Sequence, residues 1–381
     1  MDFGIPEASE RLRAELRGLL RSDPVAAELA RLAGLPRGHE ESELRPLYRL
    51  LGEAGVLAVA WPAEHGGRGG GPTDQLVLAE ELVRHDVPLP LHSLTIQIVG
   101  AFLLAAGSDE QRRRLLPAMA RGELLACVLF TEPDAGSDLT ALATAAERLD
   151  GGGWAISGRK RFSMGASAAD VGLCAARTDP AASPYQGIGL FLVPMGDPAV
   201  RVRRLDSLPD EAFHEVELDG VRVGDDALVG GPGDGWALIG RMLAGERNGL
   251  NYYARGLRWL EDARRRLGAA GEPPADSTLE GLGRHWARLE AGRWLAVRVL
   301  QALHEGAPDV TLSALAKWHC SEAAQRAAWW ALETLGPAAA LREDGAALEA
   351  ALREAPGATL SAGASEVLLD ALAGSGLEAF G

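Results

Sequence analysis

The apolar pattern of this chain predicts an α+β fold in three successive parts: helical, then β, then helical again. Three observations carry that reading. Leucines recur at helical spacing through much of residues 7–125, the pattern changes near Leu125 to short apolar runs broken by Gly, Asp and Pro, and long helical periodicity returns after Gly235. The expected domains are residues 1–125, 126–228 and 229–381.

Taken in order, Leu12, Leu16, Leu19 and Leu20 lie about one helical turn apart, and Leu44, Leu47, Leu50 and Leu51 repeat the spacing over 42–54. Gly66 to Pro72 is a glycine-rich loop. Helical spacing resumes from Thr73 to His85 and from Leu91 to Ala106. Ser108, with Gln111 three residues on, is a capping box that opens another helix. The runs 125–131, 154–158, 171–177, 188–194 and 213–222 are expected strands, with Asp150-Gly151 as a hairpin turn between two of them. Short strands at such spacing predict a compact β-sandwich or barrel. A helix beginning near Gly235 runs past Tyr253, and 269–278 is an interhelical loop.

Bulk properties narrow the function. With 47% hydrophobic and 24% charged residues, the 381-residue chain can bury a large core. A formal charge of −15 argues against nucleic acid and anionic membrane surfaces as partners. Cys127, Cys174 and Cys320 are far apart in apolar stretches, without zinc or redox spacing, so no metal is expected and the thiols read as buried and reduced. The charged start of the chain lacks the apolar core of a signal peptide, and no run of about 18 apolar residues exists, so a cytoplasmic protein without a membrane span is expected.

Two features carry chemistry. Thr131-Glu132-Pro133-Asp134-Ala135-Gly136-Ser137-Asp138 ends an apolar strand in a turn that exposes backbone N–H groups and hydroxyls. Such a turn can hold carbonyl or phosphate oxygens, or be an ordinary polar turn. Glu246 lies on a mostly apolar helix face with Ile239, Met242, Leu243, Gly249, Leu250 and Tyr253. A carboxylate there is costly unless it is paired with an Arg or functional, and burial would raise its pKa as a base for a weak carbon acid requires. Gly240, Gly245, Gly249 and Gly256 each cost the helix about 1 kcal/mol relative to Ala, which suggests close approach of a ligand or another backbone.

Phe130 to Asp138 closely resembles the signature of the acyl-CoA dehydrogenase superfamily. The likeness extends along the chain through Trp61-Pro62-Ala63-Glu64-His65-Gly66-Gly67, then Gly158-Arg159-Lys160, Ala316-Lys317 and Gly363-Ala364-Ser365-Glu366. The resemblance implies an N-terminal helical domain, a central β-domain and a C-terminal four-helix bundle, with FAD between the β-domain and the C-terminal helices. It places Phe130, Thr131, Ser137 and Phe162 at the cofactor, with Ser163 or Met164 beside it, and Ser137, Arg247 and Tyr253 toward the substrate. Glu246-Arg247 matches members in which that Glu is the catalytic base; Ala362 then stands at the other position used for a base, where the main chain near Ala362 or Gly363 polarises the thioester oxygen. An acyl-CoA or other acyl thioester, an electron-transfer flavoprotein and a homo- or hetero-oligomer built as a dimer of dimers are the implied partners.

The sequence departs from the family pattern at Met164, in place of a Ser or Thr, at Ala364, at Leu335-Gly336-Pro337 and at Arg264-Arg265-Arg266-Leu267-Gly268. Two alternatives therefore stay open: a non-catalytic or half-site subunit of a heteromeric dehydrogenase, similar to those of actinobacterial sterol and lipid catabolism, and a flavin-dependent monooxygenase on the same fold.

Overall fold

The computed structural model describes residues 4–35, 39–269, 271 and 273–380. The chain packs as two compact units. The first gathers residues up to Asp74, Pro88–Ser207 and Glu211–Met242; the second gathers Gln75–Val87, Leu208–Asp210 and the chain from Leu243.

The helical start comprises α1 (Glu7–Leu20), α2 (Asp23–Ala33), α3 (Arg45–Glu53), α4 (Pro72–Arg84), α5 (Pro90–His92), α6 (Ala101–Ala106) and α7 (Asp109–Ala120). The capping box is formed: Ser108 Oγ accepts from the Gln111 amide and the Gln111 side chain accepts from the Ser108 amide. The helix expected over 91–106 is not uniform, because Ser93–Gly100 widens into a π-helical stretch. Gly100 permits this packing: a Cβ there would sit 2.2 Å from the Trp61 ring.

The strands are β1 (Ala126–Leu129), β2 (Ala145–Arg148), β3 (Trp154–Met164), β4 (Val171–Arg177), β5 (Ile188–Pro194), β6 (Val200–Leu205), β7 (Phe213–Val223) and β8 (Leu228–Val229). They form one eight-stranded sheet in the order β6-β7-β3-β2-β4-β5-β8, with β1 pairing in parallel with β4. The expected runs are present. β2, β6 and β8 are additional, and each lacks the apolar signal of the others: β2 is Ala-Ala-Glu-Arg, β8 has two residues, and β6 alternates Val with Arg as an exposed edge strand does. The hairpin between β2 and β3 turns at Asp150-Gly151, where the Gly152 amide donates to the Leu149 carbonyl at 3.0 Å, and Gly152 and Gly153 follow with positive φ. Trp154, Ile156, Phe191, Val193, Val216 and Val221 are among the apolar residues that fill the core.

The remaining helices are α8 (Gly235–Glu246), α9 (Leu250–Ala269), α10 (Asp276–His304), α11 (Val310–Leu335), α12 (Arg342–Ala358) and α13 (Ser365–Phe380). In the second unit α11 packs on α9, α10, α12 and α13. Apart from Lys317 its buried residues are small, including Ala316, Cys320, Ala324, Ala327, Ala328 and Ala331, so its neighbours approach closely. A Cβ at Gly256 would lie 2.9 Å from the Ala324 Cα, and one at Gly292 would lie 2.9 Å from Cys320 Sγ. Of the expected loop 269–278, Ala270 and Glu272 lie outside the described residues. No described helix is long and apolar enough to cross a membrane.

Candidate active site

The helix expected to run from Gly235 past Tyr253 is two helices. α8 ends at Glu246 and α9 starts at Leu250. Asn248 and Gly249 make the break: Gly249 has φ +82°, Asn248 Nδ2 donates to the Gly245 carbonyl at 2.7 Å, and Asn248 Oδ1 accepts from the Leu250 amide at 2.8 Å. The Asn side chain thus serves both helix ends, and glycine takes the left-handed position that other residues resist. A Cβ on Gly249 would lie 2.8 Å from the Ala316 carbonyl oxygen. Of the four glycines singled out, Gly249 and Gly256 answer close helix approach, whereas Gly240 and Gly245 face open space.

The break leaves Glu246 at a helix end, half-buried, with no hydrogen bond or ion pair among the described residues. Burial raises its pKa; the charges of Arg247 and Lys317 oppose that rise without cancelling it.

Those two cations also engage the segment before α13. Arg247 Nε donates to the Ala362 carbonyl at 2.9 Å, and Lys317 Nζ donates to the Gly363 carbonyl at 2.7 Å. Ala362 and Gly363 both have positive φ, +53° and +102°. For Ala362 that conformation is strained, and the two cation–carbonyl bonds help to pay for it. With both carbonyls occupied, the amides of Ala362 and Gly363 donate no hydrogen bond among the described residues. Lys317 is fully buried, 5.4 Å from the Tyr252 ring. Burial, reinforced by Arg247, pushes it down to about 8, with Glu246 pulling the other way.

Tyr253 does not join this group. It is buried, and its hydroxyl donates to Glu80 Oε1 at 3.0 Å, a carboxylate that also pairs with Arg293 at 3.0 Å. Tyr252 takes its place, its hydroxyl 3.1 Å from Ser361 Oγ. Asn248-Gly249 is itself a turn signal, and the break there puts Tyr252 rather than Tyr253 beside Ser361. Lys317 was legible as one of two lysines in an arginine-rich chain, but nothing in its spacing assigned it a task.

In the first unit the signature follows β1. Phe130 is buried, Thr131 is half-buried and Ser137 is exposed. Glu132 faces inward and is fully satisfied: it accepts from Lys160 Nζ at 2.7 Å and from the amides of Ala143 and Thr144 at 2.7 and 2.9 Å. Lys160 also donates to the carbonyls of Phe130 and Ala175. This pair fixes the start of the loop, and the Arg161 amide adds a bond to the Thr131 carbonyl at 2.8 Å.

Beyond Lys160 the pairing of β3 with β7 slips before it resumes at Ser163. Phe162 sits in that irregularity with φ +56° and is 57% exposed, its ring edge-on to Phe213 at 6.4 Å. Ser163 is buried beside His214, so its hydroxyl does not share the exposed face of Phe162, and Met164 is half-buried.

The comparisons with known proteins agree along the whole chain. Residues 6–123, 127–221 and 233–377 match the N-terminal, middle and C-terminal domains of acyl-CoA dehydrogenases. The acyl-CoA dehydrogenase IpdE1 of Mycobacterium tuberculosis is 36% identical over 323 residues, which cover 81% of this chain and 83% of that protein. Among solved structures, a steroid acyl-CoA dehydrogenase, Tcur3481-Tcur3483, superposes with a TM-score of 0.88 at 31% identity over 99% of both chains. The ChsE4-ChsE5 complex of Mycobacterium tuberculosis gives 0.85 at 28% identity, covering 98% of this chain and 97% of that one. A polypeptide with all three domains in order, and with relatives of this identity along most of its length, belongs to the acyl-CoA dehydrogenase family.

Proposed function

We propose that this oxidoreductase desaturates an acyl thioester between its α and β carbons, with Glu246 as the base. The observation that carries the reading is the state of Glu246: a half-buried carboxylate with a raised pKa, sharing two cations with a segment whose amides, like the carboxylate itself, make no hydrogen bond among the described residues. The α-proton of a thioester is weakly acidic, so its removal needs both a basic carboxylate and stabilisation of charge on the thioester oxygen. Glu246 takes the proton. The amides of Ala362 and Gly363 donate to the oxygen, and Arg247 and Lys317 hold those amides in place from the carbonyl side.

FAD is the cofactor that the residues of the first unit fit. An exposed aromatic ring on a positive-φ bulge at Phe162 suits a planar ring system, and the Thr131 hydroxyl on the adjoining loop suits its polar edge. When bound, FAD supplies the acceptor for the β-hydride at flavin N5. Phe130 and Glu132 set the loop, Ser137 offers an exposed hydroxyl to cofactor or substrate, and Met164 supplies no hydroxyl. An electron-transfer flavoprotein is the proposed oxidant. Three buried free cysteines fit a reducing compartment, so we assign the protein to the cytoplasm.

Met164 favours a second reading, in which the chain supplies half of a cofactor site to a related subunit. Two names among the similar structures, Tcur3481-Tcur3483 and ChsE4-ChsE5, are those of two-component assemblies. The visible spectrum of the protein purified alone separates the two. Near-stoichiometric FAD supports a self-sufficient homo-oligomer; protein that stays colourless after FAD is added supports the half-site reading.

A further inference from the structure

Three buried side chains of the first unit, on β3, on β7 and in the 3-10 turn beside His214, carry unsatisfied polar atoms. Glu41, in the 3-10 turn Glu41–Leu44, is 4% exposed, His214 on β7 is 1% exposed and Ser163 on β3 is 3% exposed. Both Glu41 carboxyl oxygens, His214 Nε2 and Ser163 Oγ have no hydrogen-bond partner among the described residues. A buried polar atom left without a hydrogen bond is costly, so these four atoms call for a partner.

The spacing shows what fits. Ser163 and His214 are paired in register, with His214 Nδ1 3.3 Å from the Ser163 carbonyl oxygen. That nitrogen is 3.9 Å from Glu41 Oε2, and Nε2 is 4.0 Å from Glu40 Oε2. Polar groups at such distances are too far apart for a direct hydrogen bond, and a bridging water is the usual solution.

The charges around Glu41 come from several elements. Burial pushes its carboxyl up to about 8; the Gly165 amide and Arg204 on β6 pull it down, while Glu211 and Glu40 push it further up. Tyr48 and Cys127 face the same carboxyl, whose charge would make both harder to ionise. Burial also lowers His214, against the Ser163 carbonyl and Glu40. Near neutral pH the carboxyl is therefore protonated and the imidazole uncharged.

We infer that Glu41, His214 and Ser163 form an internal water-binding site that ties the Glu41 carboxyl to β3 and supports the positive-φ bulge at Phe162 from behind. The Glu41 O–H donates to the water, and the Ser163 hydroxyl and the imidazole complete its partners, within the two to four that a buried water needs. This makes Glu41 a positioning residue for the bulge. The inference concerns the folded chain itself and does not depend on the flavin reading.

The experiment is infrared spectroscopy and amide hydrogen exchange on the full chain. Wild type minus Glu41→Gln should show a protonated-carboxyl band at pH 6.5 that disappears as the pH passes about 8. Exchange at residues 161–165 should be the same in wild type and Glu41→Gln at pH 6.5, and faster in wild type above pH 8. Glu41→Leu should raise exchange at 161–165 at least tenfold while leaving β4 and β5 unchanged. Absence of the carboxyl band at pH 6.5, or wild-type protection of 161–165 in Glu41→Leu, would overturn the proposal. If Glu41→Leu does not fold, the wild-type and Glu41→Gln comparison decides: equal exchange on both sides of pH 8 would contradict it.

Discussion

Glu132 and Glu246 are both acidic residues set among cations, and they have opposite fates. Glu132, beside β1, is held by Lys160 and two backbone amides, and these outweigh the effect of its burial and lower its pKa. Glu246, at the end of α8, has the charges of Arg247 and Lys317 nearby but no hydrogen bond among the described residues, and burial raises its pKa. A lysine contributes in each case. The difference lies in where its protons point: Lys160 gives one to the carboxylate, whereas Lys317 gives its bond to the Gly363 carbonyl. A satisfied carboxylate is a structural clamp, and one whose neighbouring cations are committed elsewhere stays basic.

The sharpest way to break this contrast is mutation of each acid. Glu246→Gln should lower turnover by about 10³-fold, within the range for loss of a general base, while circular dichroism and melting temperature stay at wild-type values or better. Removing a partner of the clamp should do the reverse. Lys160→Met leaves Glu132 buried and uncompensated and should destabilise the protein by about 3–5 kcal/mol in urea unfolding. Equal losses of stability in the two variants would abolish the distinction.

A smaller effect is expected where the cations meet the Ala362–Gly363 segment. Lys317→Met should reduce kcat by about 10²-fold through misplacement of the amides, with the pH profile of kcat/KM also moved, since Glu246 loses a charge that now pulls its pKa down. A fall in kcat with an unmoved profile would remove Lys317 from the electrostatics of the base.

The pH dependence sharpens the same comparison. Glu132 has a lowered folded pKa, so its contribution is present above the unfolded value of 4.5 and is lost as the pH falls through the folded value. Glu246 has a raised folded pKa, so stability is lost as pH rises from 4.5 through that value. Glu246→Gln should therefore match wild type near pH 4 and exceed it at pH 8 in urea titrations. The smallest effect is at Ala362: Ala362→Gly relieves a positive φ that costs about 1–2 kcal/mol, offset in part by chain entropy, and should shift the midpoint upward by less than that amount.

Much of the fold was legible because its signals are local. The Ser108 box, the runs at 171–177 and 188–194 and the Glu132 loop follow from patterns within ten residues. β6 escaped because Arg alternates with Val on an exposed edge, and the π-helical turn escaped because the apolar residues of Ser93–Gly100 read simply as helix. At the candidate site, Glu246 was readable from its apolar helix face and Arg247 from the family resemblance. Tyr252 and the task of Lys317 were not, because both depend on where the Ser361–Gly363 segment folds back.

The most direct test of Glu246 as the base is exchange of the substrate α-proton in deuterated water, followed anaerobically by mass spectrometry with an acyl-CoA that the wild-type protein desaturates. Wild type should incorporate deuterium at the α carbon, and Glu246→Gln, folded and with wild-type FAD content, should do so about 10³-fold more slowly. Exchange at the wild-type rate in Glu246→Gln would show that another group removes the proton.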